Sequence, residues 1–162
     1  MKAKLFFIVT ILLLSCSSQD DFTLAEGDSF IFGHFFGECA GEFCVETFKL
    51  TSDTLFEDTI DRYLNLENFN FVPLSIEQYD TAKSLTTKIP QQLLRRTSQT
   101  FGCPDCADQG GIIVLVNKSS LKKQYIIDLD KSAAPKYLHE FIDQVTYTIN
   151  RLNEDFSKAE LH

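Results

Sequence analysis

The chain has 162 residues and a formal net charge of −8, with 15 basic side chains against 23 acidic ones. That length fits a single domain with a core of its own, and so acidic a surface repels phosphate backbones, which argues against nucleic-acid binding. Fifteen Phe with no Trp and one Met predict a core built on phenylalanine.

At the start of the chain, Lys2 and Lys4 precede an apolar run from Leu5 to Leu14, broken only by Thr10 and followed by Ser15 and Cys16. A bilayer-spanning helix needs about 20 residues, so the run predicts a signal peptide over 1–15 and not a permanent span. Leu13-Leu14-Ser15-Cys16 resembles the bacterial lipoprotein signal, in which the Cys after a small residue is exposed by cleavage and receives lipid. The resemblance implies lipidation of Cys16 and membrane attachment through it. It also leaves four other cysteines, an even number suited to an oxidising compartment.

Loss of Lys2 and Lys4 lowers the basic count from 15 to 13 against 23 acids, a net charge of −10. Ser17-Ser18-Gln19-Asp20-Asp21 resembles the export signal of surface lipoproteins in Bacteroidetes-type bacteria, implying an outer-membrane, surface-exposed location. Residues 16–28 are expected to form a flexible tether. Asp53-Thr54-Leu55, Asp58-Thr59-Ile60 and Asp80-Thr81-Ala82 resemble the O-glycosylation signal of the same bacteria.

From Ser29 to Phe36 the sequence SFIFGHFF is apolar on both alternating faces, which predicts a strand covered on both sides. The loop 37–42 turns the chain into a second strand over 43–51. A turn at 51–54 leads to a short third strand, 55–58. After the polar, irregular stretch 61–68 comes a fourth, 69–72, which Pro73 confines to an edge or terminal position. Ser75 opens a helix with Gln78 as its capping-box partner, and Ile76, Tyr79, Ala82, Leu85 and Ile89 supply its apolar stripe. Pro90 interrupts it, leaving 91–96 as a kinked continuation or a separate turn.

Residues 97–111 read as a loop. Ile112 to Val116 is a run of β-branched and aliphatic residues that predicts a central strand. A turn over 117–123 then joins it to a partner strand over 124–129, with Tyr125, Ile127 and Leu129 facing inward. From Pro135 onward, Leu138, Phe141, Ile142, Val145, Ile149 and Leu152 share one helical face. The expected fold is a single α+β domain over 29–155, with a C-terminal tail over 156–162. Its mainly antiparallel sheet of about six strands would carry two helices packed on one face.

Four cysteines carry the chemistry worth weighing: Cys39, Cys44, Cys103 and Cys106. Structural disulfides are favoured by the compartment that Cys16 implies, although four cysteines allow three pairings. A zinc site with all four as thiolate ligands is the alternative, because Cys-Pro-x-Cys resembles one knuckle of a zinc ribbon. Thiol redox chemistry at Cys103 and Cys106 is the third reading. Against it, the thioredoxin family places its CxxC at a helix N-terminus, whereas here the pair leads into a predicted strand with Asp105 and Asp108 beside it.

Pro104-Asp105-Cys106-Ala107-Asp108-Gln109-Gly110-Gly111 is similar to a Pro-Asp-x-x-Asp-x-Gly-Gly turn of uncharacterised Bacteroidetes-type lipoproteins, and the similarity extends over the chain that follows. It implies no activity. Gly110-Gly111 suits positive φ, and the two aspartates suit capping of backbone N–H groups better than a calcium loop. His34 and His139 read as packed histidines. No catalytic motif is present, so the expectation is a lipid-anchored cell-envelope protein with a structural or binding role, without enzymatic activity or cofactor.

Overall fold

The computed structural model describes residues 22–64 and 66–159. The predicted signal peptide, Cys16 and the rest of 1–21 therefore lie outside the described residues. The strands are β1 (Ser29–Phe35), β2 (Val45–Leu50), β3 (Leu55–Asp58), β4 (Phe71–Pro73), β5 (Gln99–Phe101), β6 (Gly111–Lys118) and β7 (Leu121–Asp128). They form one open sheet in the order β4-β3-β2-β1-β6-β7-β5. Every neighbouring pair is antiparallel except β5 with β7, which is parallel. The helices are α1 (Ile76–Ala82), α2 (Gln91–Leu94) and α3 (His139–Ala159). The α+β class holds, with seven strands and three helices instead of about six and two.

One side of the sheet carries the main core. Phe30, Phe32 and Phe48 stack in a row with 5.6 Å between successive ring centroids. They meet Ala82, Leu85, Ile89 and Leu93 together with α3 in a single buried cluster. The six residues expected on one helical face, Leu138 to Leu152, are each 2% exposed or less. Full burial of such side chains contributes about 1.5–3 kcal/mol apiece, which explains why that periodicity is the clearest local signal. Across the sheet, Phe35, Val45 and Ile113 form a second, smaller cluster, joined by Leu66 from the β3–β4 loop. Strand β1 is thus covered on both faces, as its sequence predicts.

Several boundaries differ from expectation, each for a physical reason. Thr97 to Gly111 is not all loop, because Gln99–Phe101 pairs with Tyr125–Ile127 as the parallel edge strand β5. The polar side chains after Val116 do not end the β6–β7 hairpin either, since its ladder is made by backbone groups. Asn117 pairs with Lys122 and Lys118 with Leu121, leaving only Ser119 and Ser120 in the turn. Ser75 does cap α1 in a full capping box with Gln78, but the helix stops at Ala82 and continues as 3-10 turns over Lys83–Lys88.

The segment 22–28 is packed and is not tether. Phe22 is 6% exposed within the main cluster, and Lys118 Nζ lies 4.9 Å from its ring centroid. At the other terminus α3 runs on to Ala159, and Phe156 packs against the core instead of joining a tail.

Candidate functional site

The topology dictates where the unusual loop lies. Because β7 sits between β5 and β6, the segment 102–110 must bridge the end of β7 to pass from one to the other. Asp128, the last residue of β7 and 1% exposed, receives it. Its Oδ2 accepts from the Cys103 amide at 2.9 Å, and its Oδ1 accepts from the Asp130 amide at 2.8 Å and from Gln109 Nε2 at 3.1 Å. A buried carboxylate is costly unless hydrogen-bonded, and three donors satisfy this one. Gln109 Nε2 also donates to the Cys103 carbonyl at 3.0 Å, closing the loop on itself.

Asp105 does the same work outward. Its Oδ1 accepts from the Gly110 amide at 3.0 Å. Its Oδ2 accepts from the Gly37 amide and from the Tyr63 hydroxyl, both at 2.8 Å. One carboxylate therefore ties the 102–110 loop to the β1–β2 loop and to the β3–β4 loop. Tyr63 is held from its other side by an edge-on contact with Phe35, 5.4 Å between centroids. The hydrogen bond to Asp105 pushes the Tyr63 phenol above its ordinary pKa, since ionising it would lose the donor and set two negative charges together.

Backbone geometry permits this arrangement. Gly110 has φ +77, and a Cβ there would strike the Phe36 ring. Gly111, expected to share that freedom, instead begins β6. Asp105 and Asp108 both adopt positive φ, at 64 and 58, a conformation that Asp tolerates better than most residues.

The cysteines close within their own loops. Cys39 is bonded to Cys44 across the β1–β2 loop, with Cα atoms 5.6 Å apart, and Cys103 to Cys106, with Cα atoms 5.5 Å apart. The crossed pairings are not formed. Among the described residues no group of three or more His, Cys, Asp or Glu side chains is placed to hold a metal ion. Cys103–Cys106 lies between β5 and β6 and not at a helix N-terminus. Both of its cysteines are exposed; in the other bond Cys39 is exposed and Cys44 is buried.

Between the three loops lies an open cleft of about 580 Å³, lined by Phe36, Glu38, Asp61, Tyr63, Asp105 and Asp108 together with Cys39 and Cys44. The described residues that line it include carboxylates and aromatic rings but no Lys or Arg. His34 and His139, the histidines among the described residues, stand apart from any such role. His34 Nε2 donates to the Phe43 carbonyl at 3.1 Å, and burial pushes its imidazole pKa down. His139 Nε2 donates to the Ala134 carbonyl at 3.0 Å.

Sequence reasoning identifies the disulfide loops and the capping role of Asp105. It misses Tyr63, Gly37 and Asp128, which hold the loops together. A lone tyrosine in the irregular stretch 61–68 is the one visible hint. Comparison with protein-family models and with curated proteins finds no match for this chain.

Proposed function

We propose that the protein is a lipid-anchored binding module of the cell envelope. It would attach through Cys16 and hold a partner in the cleft formed by the β1–β2, β3–β4 and 102–110 loops. The observation that carries this reading is the convergence on Asp105 of three loops remote in sequence, around a concave and accessible surface. Ordering loops costs roughly 1–2 kcal/mol per residue in backbone entropy, and rigid loops around a concavity are the usual construction of a preformed site. The lipobox resemblance supports the anchor and the compartment, and the two disulfides suit an oxidising location. The negative rim selects against anionic partners.

Two measurements test the reading. Radiolabelled palmitate should enter the wild-type protein and not Cys16→Ala; equal or absent labelling removes the anchor. A photo-crosslinking residue placed at Glu38 or Phe43 in living cells should trap a partner, whereas one at Tyr147, 62% exposed on α3, should not. Adducts at none of these positions, or equally at all, remove the binding role.

A further inference from the structure

The two ends of the sheet are chemically distinct. At one end the chain enters the fold: the Ala25 amide donates to Asp28 Oδ2 at 3.0 Å, and the Ser119 amide donates to Asp28 Oδ1 at 2.9 Å. Lys118 Nζ donates to the Thr23 carbonyl at 2.6 Å, next to the buried ring of Phe22. The segment 22–28 is thereby fixed against the β6–β7 turn. At the other end lie the cleft, both disulfides and the carboxylates of Glu38, Asp61, Asp105 and Asp108. Strand β6 joins these ends, from Gly111 beside Pro104 of the disulfide loop to Lys118 beside Thr23.

We propose that the anchored protein stands with its Phe22–Asp28 end toward the bilayer and presents the disulfide-bound cleft at its membrane-distal end. The cleft then meets partners arriving from the surrounding medium, not lipid headgroups of its own membrane. This orientation rests on lipidation of Cys16. Five residues lie between Cys16 and the fixed ring of Phe22, six steps of chain, a reach of at most about 21 Å at some 3.5 Å per step. Strand β6 alone spans about 23 Å in its seven steps, and the loops around the cleft extend beyond it. Inverting the domain to bring the cleft to the bilayer would need more chain than the tether contains. Charge acts in the same direction, because a rim of carboxylates is repelled by a negatively charged bilayer surface.

The chain contains no Trp, so single introduced tryptophans report position without background from native indole. Full-length lipidated protein carrying Ser120→Trp or Glu26→Trp marks the end where the chain enters; Phe43→Trp or Glu38→Trp marks the cleft end. All four positions are exposed, and two at each end guard against one misfolded variant. In vesicles with dansyl-labelled headgroups, energy transfer from the first pair should exceed that from the second several-fold. Equal or reversed transfer in protein that carries palmitate on Cys16 overturns the orientation and leaves the anchor standing. Failure of palmitate to label Cys16 overturns both.

Discussion

The Asp105 carboxylate accepts the Gly37 amide at 2.8 Å across 68 residues of sequence. A Cβ on Gly37 would collide with that same oxygen, so the close approach needs glycine. Together with Tyr63 and Gly110, this makes Asp105 the common fastening of three loops. Charge-assisted hydrogen bonds contribute roughly 1.5–3 kcal/mol each when shielded and less when exposed. Asp105→Ala should therefore lower stability by about 2 kcal/mol in urea unfolding at neutral pH. Asp105→Asn should cost less, because Asn accepts positive φ and keeps one acceptor oxygen. A loss under about 0.5 kcal/mol for Asp105→Ala, that of an ordinary surface substitution, would remove its fastening role.

Tyr63 reports on the same bond through its titration. Its phenol ionises above the ordinary tyrosine range because it donates to Asp105. A pKa raised in the folded state gives stability that is full below the unfolded value and is lost as pH rises through the folded one. Ultraviolet difference titration of the wild type and Tyr63→Phe isolates this group. In Asp105→Asn the Tyr63 phenolate should form at lower pH than in the wild type. An unmoved curve would show that the hydrogen bond is absent in solution.

The disulfides should open in a set order. Thiolate attack requires access; Cys103 and Cys106 are both exposed, whereas the Cys39–Cys44 bond exposes Cys39 and buries Cys44, leaving one sulfur open to attack instead of two. Mild reductant followed by alkylation should label Cys103 and Cys106 first and Cys39 and Cys44 only later. Complete reduction should add about 4 Da, one hydrogen per sulfur released. Both closed loops are short, with sequence separations of 3 and 5, so each bond should contribute only about 2 kcal/mol in the chain-entropy view. Simultaneous labelling of all four cysteines would contradict the difference in access.

What can be read from the sequence follows from local physics. The stripe from Leu138 to Leu152 repeats at helical spacing, Ser75 and Gln78 satisfy each other within four residues, and the β-branched run at Ile112 suits a central strand. Each signal is contained in a few turns of chain. Strand β5 is hidden because Gln99-Thr100-Phe101 carries no pattern of its own. The chain leading into it is held by Tyr125, whose hydroxyl donates to the Leu93 and Arg96 carbonyls, and by the Lys123 ammonium on the Leu94 and Arg96 carbonyls. The cleft is hidden for the same reason: Tyr63, Gly37 and Asp105 become neighbours only after the sheet has formed. Phe22 resembles tether because one aromatic after two aspartates has no period to mark it.

Tyr125 offers a last test, one that reaches the core. It is fully buried at the centre of β7, with hydrogen bonds of 2.8 Å to the Leu93 carbonyl and 3.1 Å to that of Arg96. Burial, and secondarily the nearby Tyr137 phenol, pushes its pKa up to about 12 from 10.0. Since the folded value lies above the unfolded one, the resulting stability is complete below about pH 10 and disappears as pH climbs toward 12. Tyr125→Phe should lose about 1 kcal/mol at neutral pH, because both carbonyls keep other donors. Above pH 10 its stability should fall less steeply than that of the wild type. Urea midpoints measured across the alkaline range check this, and parallel declines in the two proteins would show that Tyr125 is not the group whose ionisation unfolds the domain.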